Sequence, residues 1–300
     1  MSCLPKYRPK GDRTDMHPIL FHIGNFTVHT FGAILMVAFA VAVYRGFRAA
    51  EKREGSLQPG QATGADILDV SVFMILAGVF GARALFVALD WSQYSGRPQT
   101  WLAIWEGGIS FHGALLGGIL AMALFCRARK LSLMKLCDSL APSVMIGYAI
   151  GRIGCFFNGC CYGIPTTMPW GVRFFDDGHW TPPSHPTQLY ASAMSFLFFA
   201  ILVRIERRQT YVGQMVGWYL IFAATERFIM EIWRAGVTST IVFHGLTDTQ
   251  ILCLALAIFG TVLLNVTKHR AGNGGTEPPT HDRPTGMEPT ADSSLGKVAQ

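Results

Sequence analysis

Charge is scarce in this sequence. Only 15% of its 300 residues are Asp, Glu, Lys or Arg, where a soluble domain carries about a quarter. Half of the residues are hydrophobic, 21 residues are Phe, and the mean hydropathy is positive. Together these exclude an ordinary water-soluble surface and point to lipid as the solvent. Lys and Arg exceed Asp and Glu only by 25 to 19, and no basic stretch alternates with aromatics. Nothing here therefore forms a nucleic-acid platform; so small an excess sets topology and lipid contact. Cysteine is sparse and odd in number: Cys3, Cys126, Cys137, Cys155, Cys160, Cys161 and Cys253. Their spacing and the chain length exclude a disulfide-rich secreted scaffold. A fixed-period repeat is absent. A secretory n-region and cleavage site do not occur in the right order before the first apolar stretch, which is therefore expected to be a retained span.

What the chain does have is apolar segments of spanning length, at about 26–44, 67–89, 108–126, 136–151, 188–204, 213–231 and 246–266. They predict an all-α polytopic integral membrane protein with seven transmembrane helices, the fourth being the shortest. Cations follow alternate spans: Arg45, Arg48, Lys52 and Arg53; Arg127, Arg129, Lys130 and Lys135; Arg204, Arg207 and Arg208; Lys268 and Arg270. Cationic loops stay in the cytoplasm, which places the N-terminus in the periplasm and the C-terminus in the cytoplasm, against Lys6, Arg8, Lys10 and Arg13 near the start. The reading divides the chain into an N-terminal extension (1–16), a seven-span domain (17–271) and a tail (272–300). The tail is rich in Gly, Pro, Thr and Asp and is expected to be disordered.

Polar residues collect near the outer ends of these spans: Arg83 in "GVFGARALF", His112 in "WEGGISFHGALLGG", Arg152, then His185 and Gln188 in "SHPTQLY", and Arg227, Glu231 and Arg234 in "ERFIMEIWR". An ionisable group costs roughly 2.5–3.5 kcal/mol at membrane depth unless paired or wetted. Several at one depth suggest a shared polar cavity; the alternative is an interfacial belt that only anchors helix ends, with Arg234 snorkelling. Arg227, Glu231 and Arg234 share one helical face by spacing. His112 lies among Gly107, Gly108, Gly113, Gly117 and Gly118, which let helices, or a lipid head group, approach the backbone. Ser184 can cap a helix and Pro186 suits its first turn, so His185 is either part of that cap or part of the site.

The stretch "GRIGCFFNGCCYG" (151–163) holds three cysteines without a second ligand pair, so no metal is expected. On an oxidising face Cys155 can bridge Cys160 or Cys161; otherwise the three pack. The glycines allow positive φ and expose backbone N–H groups, which beside Arg152 would make an anion cradle of phosphate size.

This stretch resembles the signature of the prolipoprotein diacylglyceryl transferase family. "HIGNFTVHTFG", "GGISFHGALLGG", "HPTQLY", "ERFIMEIWR" and "LTDTQIL" resemble it too, in order, over about 17–266. The resemblance implies a seven-span bacterial inner-membrane enzyme whose site opens to the outer leaflet and periplasm. Such an enzyme moves the diacylglyceryl group of phosphatidylglycerol to the lipobox cysteine in the signal peptide of a preprolipoprotein. A thioether forms and glycerol phosphate leaves. Its partners are those two substrates and membrane lipid; no metal, organic cofactor or nucleic acid is implied. By resemblance and charge, Arg152 and Arg227 hold the phosphate. His112 is the candidate base for a thiol of free pKa about 8.5. Glu231 orients Arg227 or holds glycerol hydroxyls. Arg83, Asn158, Gly163, His185, Gln188 and Arg234 line the substrate pocket. The chain departs from the family pattern at Cys155 (usually Asn), Cys160 (usually Glu), and Phe31 and Ala223 (usually Tyr). Two other readings follow: a family member with altered chemistry at Cys160 or Cys161, and a lipid or anion transporter, for which no inverted repeat is found. A purely structural membrane protein fits poorly with the clustered charges.

Overall fold

A β-hairpin, Ile19–Ile23 (β1) against Phe26–His29 (β2), leads straight into the first helix. The computed structural model describes residues 19–23, 26–52, 59–103, 108, 110–176, 179–234, 241–243 and 245–273. The helices are Thr30–Glu51 (α1), Gly64–Leu89 (α2), the short Trp91–Tyr94 (α3), Phe111–Arg129 (α4), Leu133–Phe157 (α5), Thr187–Glu206 (α6), Gln214–Glu231 (α7) and Asp248–Asn273 (α8). Two small hairpins, Phe175–Asp176 (β3) with His179–Trp180 (β4) and Ile241–Phe243 (β5) with Leu246–Thr247 (β6), sit between long helices. The expected extension and tail lie outside the described residues.

Six of the long helices, α1, α2, α4, α5, α6 and α8, are long and apolar enough to cross a membrane. The protein is thus a polytopic, multi-pass membrane protein. The exception is α7, an 18-residue helix carrying Glu226, Arg227 and Glu231 in its last turns. Large apolar side chains such as Met36, Phe73, Phe80, Leu116, Leu197 and Ile258 face outward, as a lipid solvent allows. Most boundaries shift by a few residues from expectation, and two shifts matter here. The fourth segment, expected at 136–151, is a 25-residue helix with Pro142 inside it. The first helix begins at Thr30, because residues 26–29 pair as a strand.

Local chemistry sets the helix starts. Thr63 and Asp66 form a capping box on α2, and the Ser110 and Ser132 side chains cap α4 and α5. The α7 start, at Gly213, has no cap of its own. Instead the buried Asp138 carboxylate on α5 accepts from Gly213 N (2.5 Å), Val216 N (2.9 Å) and the Gln209 amide (2.9 Å).

The helices pair chiefly as α2 with α4, α1 with α5, α5 with α6, and α7 with α8. Glycines around His112 serve the α2–α4 contact: a methyl on Gly113 would overlap Gly81 O, and one on Gly117 would overlap Ala77 O. Backbone passes as close as a small-residue seam permits. At the end bearing the cationic loops, Arg45 pairs with Glu206 and donates to Ser139 O (3.2 Å), and Arg129 pairs with Asp69 (2.7 Å). Successive helices alternate in direction, so the C-terminal ends of α2, α5 and α7 and the N-terminal ends of α4 and α6 meet at the opposite end. That end carries the site.

Candidate active site at the polar end of the bundle

The site is built on a clamped loop. Helix α5 continues through Gly151 to Phe157, and only residues 158–163 leave it. Gly159 and Cys161 turn the chain with φ of 71° and 67°. Two side chains at the start of α6 hold the turn: Thr187 donates to Cys161 O (2.8 Å), and Gln188, 1% exposed, donates to Cys160 O (2.7 Å). Gly163 N donates to His185 O (2.9 Å), and Ile164 N donates to Trp233 O (2.8 Å), which ties in the end of α7. Gly163 fits where it does because a Cβ there would meet Trp233 O, Thr187 and His185. Asn158 occupies the C-cap of α5.

The expected cradle of bare N–H groups is not formed by this loop. The N–H groups of Asn158, Gly159, Cys160 and Gly163 donate to Gly154 O, Phe156 O, Cys155 O and His185 O. A helix end folds its own carbonyls over these donors, which leaves anion recognition to side chains. The capping role expected of Ser184 is also corrected. Its hydroxyl donates to Pro182 O, its backbone pairs with Val172, and α6 starts at Thr187 without a side-chain cap.

Arginines supply the charge. Arg152 Nη2 donates to the Tyr148 hydroxyl, and its guanidinium lies over the Tyr148 ring, 4.7 Å from the centroid. The Tyr148 hydroxyl donates to Glu226 Oε2 (3.1 Å). Glu226 is 3% exposed, and Arg152, Arg227 and Arg234 all lie within electrostatic reach of it. Arg227 Nη1 donates to Glu231 Oε2 (2.5 Å), and the Glu231 side chain is 1% exposed. Arg152, Arg227, Arg234 and Glu231 are therefore brought together around the ends of α5 and α7. Tyr148 and Glu226 were not singled out from the sequence. The available signals were Tyr148 four residues before Arg152 and the carboxylate adjoining Arg227.

Other expected residues sit apart or serve the frame. His185 Nδ1 meets the Tyr190 hydroxyl at 3.1 Å, within an aromatic group completed by Trp233, and Trp170 donates to the same hydroxyl (2.7 Å). Arg83, 2% exposed, donates to Trp101 O (3.1 Å), Gly108 O (3.0 Å) and Thr100 O (2.6 Å), pinning the α3–α4 connection. His112 is exposed in the first turn of α4, edge-on to Phe111. None of the hydrogen bonds or ion pairs found among the described residues joins it to α5 or α7.

The cysteines gather beside Arg152. The Cys155 thiol is within hydrogen-bonding range of Cys160 and Cys161, and Cys160 Sγ lies 3.8 Å from Cys155 O. The three are not disulfide-bonded in this structure. Among the described residues no group of His, Cys, Asp and Glu is arranged to hold a metal ion.

Arginines held by buried carboxylates, Arg152 through Tyr148 and Arg227 directly, beside a hydrogen-bonded loop at a lipid boundary, are suited to holding an anionic ester head group. Comparison with known proteins gives this chemistry a family. The family model "Prolipoprotein diacylglyceryl transferase" matches residues 18–266. A phosphatidylglycerol–prolipoprotein diacylglyceryl transferase of Nitratidesulfovibrio vulgaris is 35% identical over 253 residues, covering 82% of this chain and 93% of the relative. One of Parasynechococcus marenigrum is 33% identical over 276 residues, covering 86% and 96%. One of Streptococcus uberis is 30% identical over 263 residues, covering 85% and 96%. The chain belongs to the prolipoprotein diacylglyceryl transferase family.

Proposed function

We propose that this protein transfers the diacylglyceryl group of phosphatidylglycerol to the lipobox cysteine of preprolipoprotein signal peptides, the first step of lipoprotein maturation. The thiol loses its proton to a base, its sulfur attacks the glyceryl carbon, the carbon–oxygen bond to phosphate breaks, and glycerol phosphate leaves with the bonding pair. The leaving phosphate gains negative charge as that bond breaks. Arginine donors aimed at it stabilise that charge more in the transition state than in the bound lipid.

The observation that carries the reading is the contact chain from Arg152 through Tyr148 to Glu226 between α5 and α7, with the Arg227–Glu231 ion pair on the same end of α7. Arg152 and Arg227 hold the phosphate, and Glu231 orients Arg227 through their ion pair. Gln188, Gly163 and Asn158 belong to the loop that walls the pocket, His185 and Arg234 border it, and Arg83 fixes the neighbouring connection. His112, exposed at the same end, is the base. No cofactor enters the reaction.

The cationic loops after α1, α4, α6 and α8 support a topology with the N-terminus in the periplasm and the C-terminus in the cytoplasm of a bacterial inner membrane. The site then opens to the outer leaflet and periplasm, with α7 completing the seven spans of a domain covering 17–271, flanked by the extension (1–16) and the tail (272–300). The test is direct. Arg152→Ala and Arg227→Ala, each inserted normally, should lose thioether formation on a lipobox peptide by at least about 100-fold; activity at the wild-type level in either would reject the phosphate assignment.

The thiol group of Cys155, Cys160 and Cys161 favours a second reading, altered chemistry at Cys160 or Cys161. A variant with all three changed to Ser that still forms the thioether would eliminate it.

A further inference from the structure

Three atoms in the site are buried and have no hydrogen-bond partner in the structure: Gln188 Oε1 on the loop clamp, and Arg152 Nε and Glu226 Oε1 where α5 meets α7. Buried polar atoms are almost always satisfied, so an unpartnered donor and an unpartnered acceptor call for an explanation. Arg152 and Glu226 belong to one chain of contacts. Glu226 Oε2 accepts the Tyr148 hydroxyl hydrogen over 3.1 Å, which turns the hydroxyl oxygen toward Arg152 Nη2. The Tyr148 ring also lies under the guanidinium, 4.7 Å from ring centroid to Cζ. A long arginine side chain is thereby held from below by a ring and from one side by an oxygen, with Nε left open.

We infer that Tyr148 and Glu226 are positioning residues for Arg152 in the proposed transfer. The carboxylate fixes the rotor of the tyrosine hydroxyl, the hydroxyl fixes one arm of the guanidinium, and Nε faces the phosphate ester of the lipid. Neither residue touches the reacting carbon, and neither gains nor loses a proton in the transfer. This inference rests on the proposed function, since it names what Arg152 is held to do.

The test uses the full chain in lipid nanodiscs containing phosphatidylglycerol, with a synthetic lipobox peptide as acceptor. Tyr148→Phe keeps the ring and removes only the hydroxyl. It should lower kcat about tenfold, the scale of one charge-assisted hydrogen bond, and leave the peptide KM unchanged. Glu226→Gln should do the same. The double variant should be no slower than the slower single variant, because both act through one arm of Arg152. Losses that multiply in the double variant, or wild-type kcat in Tyr148→Phe, would overturn the inference. Retention of phosphatidylglycerol by the detergent-released protein, read by native mass spectrometry, separates this idea from the transfer reaction. If the wild-type chain made no thioether, weaker retention in Tyr148→Phe would still support the positioning role, and equal retention would reject it.

Discussion

Gly163→Ala asks whether the clamped loop matters for chemistry or only for folding. A methyl group at this position would overlap Trp233 O and come within 2.8 Å of Thr187 Cγ2 and 3.0 Å of His185 Cβ. Trp233 O is backbone and accepts from Ile164 N, while Thr187 holds Cys161 O. No neighbour can yield without loosening the bonds that shape residues 158–163. Overpacking of this kind costs about 1–3 kcal/mol. The strain falls at the end of the bundle, outside the helix seams, so the fold should survive. A displacement of about 1 Å in a positioned site costs about 100-fold in rate. Gly154→Ala is the matched control in the same stretch: its methyl would meet only side chains, Phe31 Cδ2 at 3.3 Å and Ile34 at 3.4 Å, which can give. In nanodiscs, with product read by mass spectrometry and folding by thermal unfolding, Gly163→Ala should still fold, with a midpoint lower by roughly a few degrees, and lose about 100-fold in turnover at a temperature where it is folded, while Gly154→Ala stays within a few-fold of wild type. Equal activity in the two variants would refute the view that the loop positions the site.

Two further outcomes follow. Asp138→Ala strips the acceptor from Gly213 N and Val216 N at the start of α7; buried donors left open should cost about 2–4 kcal/mol, seen as a lower unfolding midpoint, with turnover of the folded fraction unchanged. Arg83→Met removes the donors to Thr100 O, Trp101 O and Gly108 O; limited proteolysis should cut residues 97–103 at least about tenfold faster than in wild type, a consequence of lost loop anchoring.

The helices were legible because long apolar runs in a charge-poor chain leave few alternatives. Their ends were not, because hydropathy reports lipid contact and not helix. Thus α1 carries on past the apolar run through Arg45 and Arg48 to Glu51, where Arg45 finds Glu206 on α6. Glycine misled in α5: the apolar segment was expected to end at 151, with the glycines beyond free to take positive φ, yet Gly154 lies against Phe31 and Ile34 of α1 and the helix runs on. Of the site, the arginines and Glu231 were visible as costly charges in apolar segments. Tyr148 was not, since a tyrosine within such a segment reads as packing until α7 sets Glu226 opposite it. Asp138 was hidden for the same reason: its partners lie on an element far along the chain.

The most direct test of the central claim is complementation. The chain is supplied to a bacterium depleted of its own transferase, and a tagged lipoprotein is followed by intact-mass measurement. The account predicts a mass gain of one diacylglyceryl group on the lipobox cysteine, lost in Arg152→Ala. A well-expressed, correctly inserted chain that leaves the lipobox cysteine unmodified would contradict it.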